Sequence, residues 1–343
     1  MVFLGSDNSC VYELQNKCLL TDFQYSFLNY FCTANMNIYK DINQLPAFKN
    51  AVITTGSFDG VHQGHVQIIE QLKKEAQKID GTPVLITFYP HPKQIVQIKD
   101  KPLFVLNTPA EKYHLLQQNG IEHIVEVPFN AKFAALTAEQ YIDKFLVKSF
   151  HPSVIVVGYD HRFGHNRTGD FSLLQSKAAQ HQYEVKEIPE HILKNITISS
   201  TKVRDAITSG DIQKATAYLG YQYFFSGVVV EGNKLGRTIG YPTANLKIED
   251  DHKLVPANGV YAVDVQLQKQ QCKGMMNIGV RPTVDGTKRT IEVNIFDFDE
   301  DIYGQQITIT LKNQLRTEIK FDGLAALTQQ LAKDKLMAQQ VNA

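Results

Sequence analysis

Two histidines three residues apart, His62 and His65, close the string Thr55-Gly56-Ser57-Phe58-Asp59-Gly60-Val61-His62-Gln63-Gly64-His65. An apolar run at residues 51–55 leads into this string and a helical pattern leaves it. The free N–H groups and positive dipole end of that helix therefore face the loop, a setting that suits phosphate. Its three glycines let backbone approach a ligand closely. Three apart at a helix start, both imidazoles lie on one face and can donate to phosphoryl oxygens as negative charge builds. Alone, such a pair is ordinarily two surface histidines near a turn; the complete strand–loop–HxGH–helix string is what points to chemistry. It is neither GxxxxGK[ST] nor GxGxxG, so it is not a P-loop or a dinucleotide fingerprint.

A second constellation runs from Gly227 to Asn245. Gly232, Gly236 and Gly240 recur at four-residue spacing with Lys234 and Arg237 between them, which reads as a phosphate-covering flap or, taken alone, as a long hairpin loop. Pro242 forces Tyr241 into an extended conformation, and in extended chain Thr243 and Asn245 point the same way. Their oxygens are hard ligands of the kind Mg²⁺ accepts beside nucleotide phosphates. In Ile291-Glu292-Val293-Asn294-Ile295, alternation puts Ile291, Val293 and Ile295 on one face and Glu292 on the other. Most such glutamates are solvated strand carboxylates.

Other strings carry polar groups where ligands could reach them. Ile198-Ser199-Ser200-Thr201-Lys202-Val203-Arg204 opens a helix with capping hydroxyls and places Arg204 about one turn in. Gly158-Tyr159-Asp160-His161-Arg162-Phe163-Gly164 follows a buried strand, with Arg167, Gly169 and Asp170 beyond. Tyr89-Pro90-His91-Pro92 ends another strand, where two prolines set a rigid turn; His91 by itself reads as a turn residue.

The elements that must position these groups fall into two classes. Strand patterns at residues 51–55, 83–88, 121–127 and 154–157 alternate with helical ones at 66–79, 110–119 and 138–148. That alternation predicts a doubly wound, mostly parallel sheet with helices on both faces, whose ligands bind beyond the carboxyl ends of the strands. From about residue 220, strand patterns at 223–230, 259–266, 274–278, 290–298 and 306–311 follow one another without helices. These predict an antiparallel β-barrel or sandwich, closed by a helical tail from about Leu324. The expected division is 36–220 and 221–343, preceded by an extension, 1–35, rich in Phe, Tyr and Cys. Met36 reads as the biological start, and residues 1–35 as peripheral or poorly ordered.

Composition excludes several classes. The 343 residues are 43% hydrophobic and 20% charged, with 35 basic and 35 acidic side chains. A neutral balance argues against sequence-independent nucleic-acid binding, which needs a basic surface. Four cysteines without a CxxC pair suggest neither a disulfide framework nor a zinc site. No apolar run approaches membrane-spanning length, and the start lacks a signal-peptide layout. A cytoplasmic, membrane-free enzyme is the expectation.

The HxGH string matches the HxGH nucleotidyltransferase superfamily, and Gly56–His65 resembles its flavin-cofactor branch. Residues 36–340 as a whole resemble the prokaryotic-type bifunctional FAD synthetases, which phosphorylate riboflavin and then adenylylate FMN. The resemblance implies catalytic roles for His62, His65 and Arg204 in adenylyl transfer. It also implies substrate contacts at Gly56, Phe58, Asp59, Asp160, Arg162, Ser199, Ser200 and Thr201. Pro242-Thr243-Ala244-Asn245 resembles the riboflavin kinase motif. That likeness implies Mg²⁺ on Thr243 and Asn245, and a phosphate flap with Gly232, Lys234, Gly236 and Arg237. Glu292 falls at the position of the catalytic base, and Arg316, in Leu315-Arg316-Thr317-Glu318, at a flavin contact. The implied ligands are ATP, riboflavin, FMN and FAD. Family members more often carry Phe at the positions of His161 and Tyr241. Two other readings stand beside this one: a nucleotidyltransferase with another acceptor and a degenerate kinase half, and a flavin-sensing module without turnover.

Overall fold

A computed structural model describes residues 36–96, 102–188, 198–232, 235–268, 270–283 and 286–341. The expectations for residues 1–35 and for Lys234 lie outside the described residues.

The first half is a six-stranded parallel sheet. Its strands are β1 (Asn37–Tyr39), β2 (Val52–Thr55), β3 (Pro83–Tyr89), β4 (His123–Pro128), β5 (Val154–Gly158) and β6 (Glu184–Ile188). They lie in the order β1-β4-β3-β2-β5-β6. β2 and β5 are buried at every residue, as expected for a sheet covered on both faces. Alternate residues feed two layers. Val52, Leu85 and Val156 pack with Ile69, Leu72 and Leu116 from α1 (Gln63–Lys78) and α2 (Pro109–Gln118). Ile53, Ile86 and Ile155 pack with Tyr141 and Phe145, and with Leu174 of α3 (Phe171–His181). The helical run through residues 138–150 is continuous but widens into π turns over Tyr141–Val147. Strand order reverses at β2, with β3 on one side and β5 on the other, so the crevice lies at the carboxyl ends of β2 and β5.

Two short helices follow, α4 (Ser200–Thr208) and α5 (Ile212–Leu219), the second ended by Gly220 at φ 81°. Their apolar faces, Val203, Ile207, Ile212 and Leu219, share a core with the second half. That half is a closed antiparallel barrel of β7 (Phe224–Val230), β8 (Ala244–Lys247), β9 (Gly259–Gln266), β10 (Gln271–Thr283), β11 (Gly286–Ile295) and β12 (Gln306–Arg316), ordered β10-β11-β8-β7-β12-β9. Val229, Leu246, Val263, Met276, Val293 and Ile309 fill it. α6 (Leu324–Val341) covers part of the outside, with Ala338 against Ala262, Met275 and Phe296.

The halves meet along residues 104–107. Val105 pairs with Lys253 in a parallel bridge, donating N–H to His252 O (2.7 Å) and accepting from Leu254 N (2.8 Å). Lys253 is fully buried there, its Nζ donating to Glu111 Oε2 (2.5 Å), Leu106 O (2.6 Å) and Phe224 O (3.1 Å). A buried ammonium is tolerated only with such partners.

Candidate functional site

The loop from β2 to α1 is bent through positive φ at Phe58 (48°), Gly60 (89°) and Val61 (35°). For a β-branched residue that is an outlier, and it persists where surrounding contacts over-determine the backbone. Those contacts are visible. Tyr221 Oη donates to Gly60 O (2.8 Å) and Ser200 Oγ to Asp59 O (2.9 Å). The Asp59 carboxylate, 4% exposed, accepts from Leu106 N (2.8 Å) and Asn107 N (3.3 Å) and forms a close ion pair with Arg204. Burial pushes Asp59 upward, while the Arg204 guanidinium opposes that shift. Arg204 is held on its other edge by donating Nε–H to Phe104 O (2.7 Å).

His62 is the N-cap of α1, its Nδ1 accepting from His65 N at 3.4 Å. The two rings stack at 3.7 Å with 11° between planes. Gly64 makes this possible: a Cβ there would lie 3.3 Å from the His62 ring. Burial, then Arg204, pushes His62 down to about 4. Burial, then His62 and Lys112, pushes His65 well below its ordinary value. Both rings are thus neutral at neutral pH. With Nδ1 of His62 accepting, its proton sits on Nε2. Phe58 is buried, its ring against Gly56 and 5.1 Å from His65.

Around these sit the other candidates. Ser199 caps α4 by accepting from Lys202 N (3.3 Å), and Thr201 is exposed on the same turn. His91 follows a cis Tyr89–Pro90 bond and is pushed down to about 3 by burial, then by Arg204, Lys112 and Lys93. After β5, Asp160 is exposed and Arg162 pairs with Asp170 at 3.5 Å. His161 turns inward, stacked 5.7 Å from Phe163, as a phenyl ring would.

The second constellation lies on the outside of the barrel. Ladder register sets Asn245 of β8 opposite Glu292 of β11, and Glu292 opposite Asn277 of β10. Directly opposed residues share a face. Leu246, Ile291, Val293 and Ile278 point inward, so Asn245, Glu292 and Asn277 form one outward row, with Thr243 on the same face two residues before Asn245. The flap folds onto this row. A Cβ on Gly232 would strike the Asn245 amide (2.1 Å), and one on Gly236 would strike Tyr241 O (2.2 Å). Asn294 Nδ2 donates to Pro242 O (2.6 Å), tying the Pro-Thr-Ala-Asn turn to β11. Arg237 is exposed beside it. The register carries the outward row through Val260 of β9 to Arg316, whose guanidinium clasps the buried Asp334 of α6 through Nε (3.0 Å) and Nη2 (2.8 Å). Among the described residues no three His, Cys, Asp or Glu gather as a metal cage. A cation at this face would rest on hydroxyl, amide and phosphate oxygens, which suits Mg²⁺.

Two family models match in tandem: FAD synthetase over residues 45–202 and riboflavin kinase over 219–342. The bifunctional riboflavin kinase/FMN adenylyltransferase of Escherichia coli K12 is 36% identical over 88% of this chain and 95% of its own length. That of Bacillus subtilis 168 is 35% identical over 83% and 90%. The chain belongs to the bifunctional riboflavin kinase/FMN adenylyltransferase family. A crystal structure from Streptococcus pneumoniae, described as a macrolide-efflux protein, superposes with a TM-score of 0.77 at 32% identity, covering 89% of this chain and 99% of that one. Among the described residues no helix is long and apolar enough to cross a membrane.

Three further residues lie beside these groups without a local signal in the sequence. Lys112 looks like a solvated helix lysine in Pro109–Gln118, yet it is buried beside the HxGH loop. Asn277 joins the Glu292 row only once strand register is known. Asn294 shares the outward face of β11, but its partner, Pro242, is distant in sequence.

Proposed function

We propose that this chain makes FAD from riboflavin in two ATP-dependent steps, at two sites on opposite halves of one cytoplasmic protein. The observation that carries the reading is the pairing of a stacked HxGH couple at the sheet's switch point with an Asn245–Glu292 row under a glycine flap.

At the barrel, the riboflavin 5′-hydroxyl attacks the γ-phosphorus of ATP and ADP leaves. Glu292 accepts the hydroxyl proton, a role that requires hydrogen-bond reach. Thr243 Oγ1 and the Asn245 side-chain oxygen would hold Mg²⁺, which would supply charge neutralisation for the transferring phosphoryl group. Gly232, Lys234, Gly236 and Arg237 cover the phosphates. Arg316 has its charge matched by Asp334, so a flavin contact there would use the arginine's stem or plane.

At the sheet edge, the FMN phosphate attacks the α-phosphorus of a second ATP and pyrophosphate leaves. The nucleophile arrives anionic, so no base is needed; catalysis is positioning and charge stabilisation. His62 donates from Nε2, His65 packs behind it, and Arg204, aimed by Asp59 and Phe104 O, positions phosphate oxygens through its remaining N–H groups. Ser199, Ser200 and Thr201 line the α4 end, while Gly56, Phe58, Asp160 and Arg162 border the crevice.

The test is a chromatographic time course with riboflavin, ATP and Mg²⁺. FMN rising first and FAD following is expected. FAD from supplied FMN, with no FMN from riboflavin, would reduce the barrel to a binding module. No product with flavin still bound would favour the sensor reading.

A further inference from the structure

We propose that Lys112 is a positioning residue of adenylyl transfer, a buried cation that clamps the HxGH loop through the Ser57 carbonyl. The proposal rests on the adenylyl-transfer reading of that site.

Lys112 lies in the first turn of α2, whose start is fixed by a Thr108–Glu111 capping box. Glu111 reaches to the barrel's Lys253; its neighbour Lys112 reaches the other way, into the sheet, and is 6% exposed. Its Nζ donates to Thr87 Oγ1 at 2.9 Å and to Ser57 O at 3.4 Å. Thr87, fully buried on β3, donates its own hydroxyl to the same Ser57 carbonyl at 3.1 Å. Two donors thus converge on the residue between Gly56 and Phe58, just before the backbone enters positive φ. A loop bent this way needs such anchors.

The choice of lysine is the telling part. Among the described residues no carboxylate is in ion-pairing contact with Lys112, and a buried ammonium without one is costly. A threonine hydroxyl and a carbonyl could be satisfied by a neutral donor. Burial pushes Lys112 down against the pull of Glu126 and Asp59, and its charge adds to the burial that pushes His65 and His91 down. A cation behind a phosphate-binding loop offsets the charge of an anionic substrate pair, and here it adds to the burial that keeps the His65 ring neutral. Those two consequences separate a functional lysine from a structural one.

The experiment uses the full chain with Lys112→Met, which keeps the stem and removes charge and donors, and Thr87→Val, which removes one anchor and keeps the charge. FAD formation from FMN and ATP is measured as kcat and KM, FMN formation from riboflavin serves as the control, and the His65 ring is titrated by NMR. For Lys112→Met, kcat is expected to fall ~100-fold, the cost of displacing a reacting group by about 1 Å. KM should stay near wild type and the His65 titration should move upward. Thr87→Val should lower kcat by about tenfold on the same positioning argument and leave His65 in place. If Lys112→Met does not fold, unchanged kcat in Thr87→Val overturns the clamp. Folded Lys112→Met with unchanged kcat and an unmoved His65 titration overturns the proposal alone. A wild-type chain that makes no FAD from FMN overturns the adenylyl reading and the proposal with it.

Discussion

In the parallel-sheet half, Asp59, His62 and Lys112 are withdrawn from water, Arg204 nearly so, and all are tied into backbone from the loop, α2 and residues 104–107. In the barrel half, Asn245, Glu292 and Thr243 are half-buried residues on the outer face of a hydrogen-bonded ladder. The first site is built from desolvated charges that exist only as a set. The second displays its groups on a scaffold that owes its stability to the apolar interior. Residue removal should therefore cost the first site both fold and function, and the second function alone.

The largest expected effect comes from His62→Ala with Arg204→Ala. FAD formation should fall ~1,000-fold or more, in line with lost transition-state donors. Denaturant melts should show a loss of about 3–5 kcal/mol, because Asp59 stays buried without its cation. FMN formation from riboflavin should be unchanged; a matching loss there would merge the two sites. Lys253→Met probes the seam between the halves. It leaves Glu111 buried and unpaired, at about 3–5 kcal/mol, and pairing it with Glu111→Gln should recover much of that in the same melts. A single-variant loss below 1 kcal/mol would mean the seam does not depend on the charge pair.

Acid sharpens the contrast. His62 is held at about 4 when folded, below the ordinary 6.5, so between those values the unfolded chain binds the proton and the folded chain does not. Stability from this group is complete above pH 6.5 and falls as pH drops towards 4, by roughly 3 kcal/mol. Chemical melts across that window should track the parallel-sheet half, and a pH-flat stability would contradict the buried, neutral ring. The smallest effect is expected at His161, whose buried Nε2 has no hydrogen-bond partner among the described residues. His161→Phe keeps the stacking on Phe163 and removes an unsatisfied nitrogen, a gain of about 1 kcal/mol. A rise in Tm with unchanged FAD formation is the expected outcome.

Much of this architecture was legible because local pattern and tertiary role agree. The alternation of strand and helix patterns over residues 51–157 gave the doubly wound sheet, and Gly210 and Gly220, both at positive φ, follow α4 and α5. β1 and β6 were missed because three residues in one and a half-exposed Glu184–Ile188 in the other carry too little apolar period. β10 runs on through Pro282 to Thr283, beyond its apolar stretch, because pairing with β11 continues there. Buried charge was the least legible feature. Asp59 and Arg204 are 145 positions apart, Glu111 and Lys253 142, and nothing local marks such residues as interior. The chemistry was legible as strings, but which groups touch was a property of the folded chain.

The two sites are separable, and Glu292→Gln tests that most directly. Supplied with riboflavin and ATP, this variant should form FMN ~100-fold or more slowly, the scale of a lost general base. Supplied with FMN and ATP, it should make FAD at the wild-type rate. FAD formation that falls in step with FMN formation, in a protein with an unchanged melt, would contradict the two-site account.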